Sequence, residues 1–345
     1  MAEQATPLNI EKAVNAIVDT IDKEREREIV ARRFGLNDRK ETLEQIGELL
    51  GITRERVRQL EKAVVARLKS QAEKGDLPNI TEVEAELSQI ITDMGSAARI
   101  QDITAKLSTE NSRIDQARVS FLTKLCPKLT VLDENDFYFQ GAALSGKYSD
   151  KQLKARVEAV VNAVKTVGEP SGIDKIAAAD GKGSPEEVAA LASLSKQLAT
   201  LNGRWGLIKW PMVNPKNIRD KIYIILFEHG KYMHFSEIAA AIKKSDFRRK
   251  DVTTQAIHNE LIKDKRFVLV GRGIYALKEW GYKKGTVADV ITDVLKKAGE
   301  PLHRDEIVKR VLKDRYVKET TILLNLQGKP QFKRTAKATY TLADV

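Results

Sequence analysis

Four times along the chain a tetrad recurs in which an apolar position and a polar, often acidic pair lead to an isoleucine. The copies are "IQDI" at 100–103, "IDKI" at 173–176, "FSEI" at 235–238 and "RDEI" at 304–307, the last with its apolar place filled by nearby Leu302. Helical periodicity precedes each, as in "NIRDKIYIILFEHG" and "TVADVITDVLKKAG". Between 29 and 37 residues after each tetrad comes an aromatic in a short β-like run: Tyr138, Trp205, Tyr275 and Tyr340. Self-similarity of this kind marks one supersecondary unit used repeatedly, and it restricts the fold to an array.

The third copy displays the unit most plainly. Helices are predicted over 217–229, 235–244 and 251–263, followed by "RFVLVGRGIYAL", two apolar strands joined at Gly271-Arg272-Gly273. Glycines at that joint permit the positive φ a tight hairpin needs. Three helices plus a hairpin wing make a winged helix. "LTVLDENDFYF", "LATLNGRWGLIKW" and "QFKRTAKATYTL" supply the wings of the other copies. The expected fold class is therefore mainly α, a helix-turn-helix module at 1–78 followed by tandem winged-helix repeats at 79–148, 149–214, 215–283 and 284–345.

The leading module rests on "TLEQIGELLGITRERVRQLEKAVVARLK", residues 42–69. Thr42 with Gln45 three residues on forms a capping box, so a helix starts at Leu43 with Leu43, Ile46 and Leu50 on one face. Gly47 is small where a second helix would cross, and Gly51 ends the helix in the left-handed region. Ile52 plugs the turn. Thr53 is a second N-cap, and Val57, Leu60, Val64 and Leu68 form one buried stripe. Opposite that stripe lie Glu55, Arg58, Gln59 and Lys62, with Arg54 at the flank. Arg, Gln and Glu can each grip a base edge from a helix in the major groove. A solvated charged face is the alternative for the same residues.

Charge sharpens the picture. The net charge is +11, yet residues 1–78 carry 15 basic against 15 acidic side chains and residues 79–216 carry 17 against 17. Residues 217–345 carry 27 against 16, so the whole excess lies in the last third. A basic surplus confined to one region suits a polyanion, because neutralised phosphates release counterions. Cys126 is the single cysteine, which excludes an internal disulfide and Cys-cluster zinc sites. No run is long enough for a membrane span and the start lacks a signal-peptide pattern, so a cytoplasmic location, on the nucleoid, is expected.

The residues also carry two resemblances. "EREREIVARRFGLNDRKETLEQIGELLGITRERVRQLEKAVVARLK", residues 24–69, resembles region 4 of sigma-70 family transcription initiation factors, which reads the −35 promoter element. That resemblance implies that Arg54, Glu55, Arg58 and Gln59 face bases, that Thr53 and Arg33 touch phosphate, and that the module docks on the flap of RNA polymerase. Only 23 residues precede it, with no aromatic-rich helical segment to capture melted −10 DNA, so a complete sigma factor is not expected. "NGRWGLIKW" at 202–210 and "RFVLVGRGIYALKEWGY" at 266–282 are similar to HARE-HTH winged helices, a family that includes the delta subunit of bacterial RNA polymerase. Delta's long acidic tail has no counterpart here.

Within the repeats, the phosphate-contact candidates are Arg248, Arg249 and Lys250 ahead of the third helix of copy three, and Lys263, Lys265 and Arg266 after it. Arg272 at the wing tip and Lys333, Arg334 and Lys337 on the last wing complete the set. Copies one and two, being neutral, are expected to contact protein or act as spacers. Tyr138, Trp205, Tyr275 and Tyr340 read as core cover rather than stacking platforms, and Trp210 and Trp280 as packing between repeats. The four histidines show no metal-binding spacing, and no phosphate loop or nucleophile motif is present, so neither enzyme nor cofactor is expected. The expected function is sequence-specific transcription regulation on double-stranded DNA with RNA polymerase as partner. An architectural nucleoid protein and a polymerase-associated scaffold are the alternatives.

Overall fold

A computed structural model describes residues 8–247, 251–282 and 285–343. It is mainly helical and divides into two compact units, residues 1–213 and 214–345.

The first unit opens with α1 (Ile10–Asp19), α2 (Glu24–Phe34), α3 (Leu43–Leu50) and α4 (Arg54–Lys74). Thr42 and Gln45 form the capping box of α3, and Gly51 ends it at φ 64°. Thr53 caps α4, which runs five residues past the predicted end at 69, to Lys74. A Cβ on Gly47 would lie 2.7 Å from the Ile52 carbonyl oxygen and 3.5 Å from the Arg54 amide. What Gly47 accommodates is thus the turn backbone entering α4, not the flank of a crossing helix.

Next come α5 (Ile80–Asp93), β1 (Ala97–Arg99), α6 (Ile100–Leu107), α7 (Arg113–Leu125), β2 (Leu129–Leu132) and β3 (Gly141–Leu144). The same order repeats in α8 (Asp150–Val167), β4 (Ser171–Gly172), α9 (Ile173–Asp180), α10 (Pro185–Leu194), β5 (Leu198–Leu201) and β6 (Arg204–Leu207). In the second unit it appears twice more. One copy is α11 (Ile218–His229), β7 (Met233–His234), α12 (Phe235–Lys244), α13 (Thr254–Lys263), β8 (Phe267–Gly271) and β9 (Ile274–Leu277). The other is α14 (Val287–Ala298), β10 (Leu302–His303), α15 (Arg304–Asp314), α16 (Glu319–Gly328), β11 (Phe332–Ala336) and β12 (Thr339–Leu342). Every copy closes a three-stranded sheet with its last strand in the middle: β1-β3-β2, β4-β6-β5, β7-β9-β8 and β10-β12-β11. Each tetrad is the first turn of a second helix, and its isoleucine, at 103, 176, 238 or 307, is at most 1% exposed. His234 and His303 hold equivalent places, each accepting at its ring nitrogen from a first-turn amide of the helix that follows.

The aromatic recurrence fails in the first copy. Trp205, Tyr275 and Tyr340 sit in the central strands, opposite Ser171, Met233 and Leu302. The matching residue of copy one is Ala143, opposite Ala97. Tyr138 lies instead in the long loop between β2 and β3, and that loop is committed to the next copy. Tyr138 bridges to Ser195 and donates to Glu158, the Phe139 amide donates to the Leu194 carbonyl, and Lys196 donates to that of Phe137. Small residues in β1 and β3 let α10 approach: a Cβ on Gly141 would run into the Leu194 side chain and the Ala98 carbonyl. Trp210 and Trp280 pack on their own sheets, Trp210 against Gly206 and Trp280 against Val268, Val270 and Ala276.

One consequence is a nested arrangement within residues 1–213. The third helix of the first copy, α7, is covered by the leading module. Phe121 meets Phe34 edge-on at 5.0 Å, and Arg118 donates to the Leu36 carbonyl at 3.0 Å and pairs with Glu11 at 2.7 Å. One apolar core runs from Ile10 and Val30 through Leu68 and Leu87 to Phe121 and Leu129. Cys126 belongs to it, and burial pushes its thiol up to about 12, so it stays protonated and unreactive. The third helix of the second copy, α10, is in turn covered by β1, β3 and the loop carrying Phe139. Val188, Ala190, Leu191, Ala192 and Leu194 are all buried on it, as expected of a helix that is apolar all round.

Candidate nucleic-acid interface

Only α4 in the first unit combines a helix-turn-helix setting with an uncovered charged face among the described residues. Ile29, Ile46 and Val57 form its small core, with Leu43, Leu50, Ile52 and Leu60 around it. Arg25 donates to the Leu50 carbonyl at 2.6 Å and Ile52 to that of Gly47 at 2.9 Å, which fixes the turn and the angle at which α4 leaves it.

On the outer face the side chains are already paired with one another. Arg58 places two N–H groups on the two oxygens of Glu55, each at 2.8 Å, and Gln59 donates to Glu55 at 3.3 Å. Arg54 pairs with Glu44 of α3 at 3.0 Å. Lys62 is exposed one turn further along. Hydrogen bonds from Arg58 chiefly hold the Glu55 carboxyl down at about 2. Such exposed pairs add little stability. Their effect is geometric, since a guanidinium held flat by a carboxylate presents its remaining donors in a fixed direction. The carboxyl resonance of Glu55 is accordingly expected to titrate with a midpoint near 2, and near its ordinary 4.5 in Arg58→Ala. A depressed acid stabilises above its free value, so the pair is complete above about pH 4.5 and lost as pH falls toward 2. An ordinary midpoint in both proteins would show that no clamp forms in solution.

Two other predicted contacts are more constrained. Arg33 pairs with Glu61 of α4 at 3.3 Å and donates to the Glu41 carbonyl at 3.2 Å, so it binds α2 to α4 and has fewer donors left for phosphate. Thr53 accepts from the Arg56 amide as N-cap, which leaves its hydroxyl hydrogen to donate. Arg56 is not among the sequence candidates. It is exposed in the first turn and reaches Gln59 at 3.4 Å. Its place at the helix start, where side chains splay outward, is the signal that could have found it.

In the second unit, Arg272 is exposed at the turn between β8 and β9, where Gly273 takes φ 70°. Lys263, the last residue of α13, and Lys265 just beyond it are exposed. Arg266 is turned inward, which corrects its grouping with them. It binds Asp264 at 2.7 Å and Asp220 at 3.2 Å and lies over the Tyr223 ring at 5.4 Å. Arg248, Arg249 and Lys250 lie outside the described residues. Helix α13 begins at Thr254 with Thr253 as cap, later than the predicted 251. Lys333, Arg334 and Lys337 are all exposed on the β11–β12 hairpin, with Arg334 bonded to the Ala336 carbonyl at 3.1 Å. The tip of that hairpin receives the Arg304 amide on Ala338 at 2.8 Å, bringing the exposed Arg304 beside the cluster. In the sequence Arg304 stands out only as part of its tetrad. Tyr275 and Tyr340 are 3% and 7% exposed, too little to serve as stacking platforms. Among the described residues no group of three or more potential metal ligands comes together, and no helix is long and apolar enough to cross a membrane.

The segment that carries this helix-turn-helix also matches known proteins. Residues 23–70 match the family model for sigma-70, region 4. The RNA polymerase sigma factor sigB of Arabidopsis thaliana is 46% identical over 48 residues, which is 14% of this chain and 8% of that protein. The RNA polymerase sigma factor SigA of a Bacillus species is 39% identical over 61 residues, 17% of this chain and 16% of that protein. The chain thus spans less than a fifth of the length of either relative, and the family-model match covers α2, α3 and most of α4.

Proposed function

We propose that this chain is a DNA-binding transcription regulator that reads a promoter-type sequence with α4 and acts together with RNA polymerase. The observation that carries the proposal is the outer face of α4, where Arg58 and Gln59 are anchored on Glu55 in a helix-turn-helix matching sigma-70, region 4. Arg54, Arg58 and Gln59 donate to base edges and Glu55 accepts, while Thr53, Arg33 and Arg56 steady the phosphates on either side. Contact with the polymerase flap is part of the same reading and rests on the family resemblance.

The four copies are winged helices of HARE-HTH or delta-subunit type, with boundaries near 79–148, 149–214, 215–283 and 284–345. Their shared order of helix, strand, helix, helix and hairpin supports this. The first two are spacers, since their third helices are covered, and the last two anchor phosphate through Arg272, Lys333, Arg334, Lys337 and Arg304. Linking a reading helix to basic wings raises affinity through effective concentration without adding base contacts. The role is one of binding and not catalysis, without cofactor, in the cytoplasm on the nucleoid.

Selection of duplexes from a random pool with the full chain tests the proposal. A single enriched motif is expected, and the variant Lys333→Ala/Arg334→Ala/Lys337→Ala should keep that motif. It should also flatten the slope of log affinity against log salt by up to about 3, roughly one for each phosphate no longer neutralised. Equal retention of all duplexes would favour an architectural protein instead. Normal promoter occupancy after removal of residues 217–345 would favour a scaffold.

A further inference from the structure

We propose that a cleft between the third and fourth copies binds an unpaired nucleobase, an inference that deepens the DNA-binding reading above and depends on it for its source of bases. The cleft has a volume of about 320 Å³, and its lining includes His229, Lys231, Tyr232, Glu237, Ile274 and Tyr316. That size lies at the lower end of ligand pockets and suits one base with its sugar. Tyr316 approaches Tyr232 with ring centroids 4.4 Å apart and a tilt of 36°, and Tyr282 meets Tyr232 edge-on at 6.5 Å. Tyr232 is therefore gripped from two directions. Tyr316 is 49% exposed, so about half of its surface remains accessible beside this pair.

The repeats themselves supply a control. After the first helix, copy two reads Gly168-Glu169-Pro170 and copy four reads Gly299-Glu300-Pro301. Copy three reads Gly230-Lys231-Tyr232 at the same place, with lysine for glutamate and tyrosine for proline. Two copies build this loop without those residues, so the fold does not require them. They line the cleft together with Ile274, two residues beyond the exposed Arg272. Lys231 can donate to a base edge, Glu237 can accept, and the His229 ring can do either. A base inside a duplex has both faces stacked and its pairing edge occupied, so only an unpaired base can use these groups.

The test uses the full chain with three probes: a paired duplex, the same duplex with a central unpaired bubble, and a nucleoside monophosphate. The bubble should bind about 5- to 150-fold tighter than the duplex, the equivalent of about 1–3 kcal/mol for one base–aromatic stack. Tyr316→Ala should abolish that preference, Tyr316→Trp should keep it, and neither should change affinity for the paired duplex. Lys231→Glu, which installs the residue that copies two and four carry, should reduce the preference in a protein that still folds. Saturable binding of the monophosphate without any bubble preference supports the same site with a free nucleotide as its occupant. No bubble preference together with no monophosphate binding overturns the inference, as does a preference untouched by Tyr316→Ala. Loss of all duplex binding in the unaltered chain would bear on α4, and monophosphate binding reports on the cleft independently of it.

Discussion

Phe121→Ala is expected to destabilise residues 1–213 by about 3–5 kcal/mol, the largest effect of any single change considered. Phe121 is fully buried in α7 and meets Phe34 of α2 edge-on, so truncation removes core volume and an aromatic pair at the surface joining the leading module to the first copy. The same core extends from Ile10 to Ala142, which makes the module and the first copy one cooperative body. Urea unfolding can be followed by a fluorophore on α4 and by Trp205 and Trp210, which pack on the second copy. The two probes should give one transition in the unaltered protein and separate transitions in the variant, with α4 melting first. Separate transitions already in the unaltered protein, with a loss under about 1 kcal/mol in the variant, would show that the module stands on its own.

Arg58→Ala should cost about 1–3 kcal/mol of binding to the selected DNA and relax preference at one base pair, with other positions read as before. Arg58→Lys should recover little of this, because an ammonium cannot occupy both acceptors of guanine as a planar fork does. Glu55 sharpens the expectation. It holds Arg58 through both oxygens at 2.8 Å, so Glu55→Ala should release Arg58 and broaden preference while overall affinity for non-specific DNA rises with the lost negative charge. Competition binding against single-base variants of the selected site measures all three. Uniform weakening across every variant in Arg58→Ala would assign that side chain to phosphate rather than to a base.

The helix-turn-helix was legible because local rules govern it: the capping box at Thr42, the left-handed Gly51 and the stripe from Val57 to Leu68 all act within one or two turns. The fourfold repeat was legible for the same reason, since the tetrad isoleucines must be buried wherever a second helix starts. Tyr138 misled because an aromatic near a hairpin has two uses, and only the partner surface decides. Ser195 and Leu194, more than fifty residues away, fix its place. The burial of α10 did leave a trace, for "VAALASL" has no polar face to give to solvent. Charge counting located the basic third of the chain but not its working members. Arg266 and Arg272 look alike in sequence, and Asp220, forty-six residues before Arg266, separates a folded-in cation from an exposed one.

The covering of α7 and α10 has a direction. The segments that shield α7 end at residue 74, before α7 begins at Arg113, and those that shield α10 end at residue 144, before α10 begins at Pro185. A ribosome releases the chain N-terminus first. Each apolar helix therefore emerges after the surface that receives it has been made, and need not wait in water for its cover. Moving the leading module to the C-terminus would keep every contact available yet reverse that schedule, leaving Phe121 and its neighbours open to aggregation during synthesis.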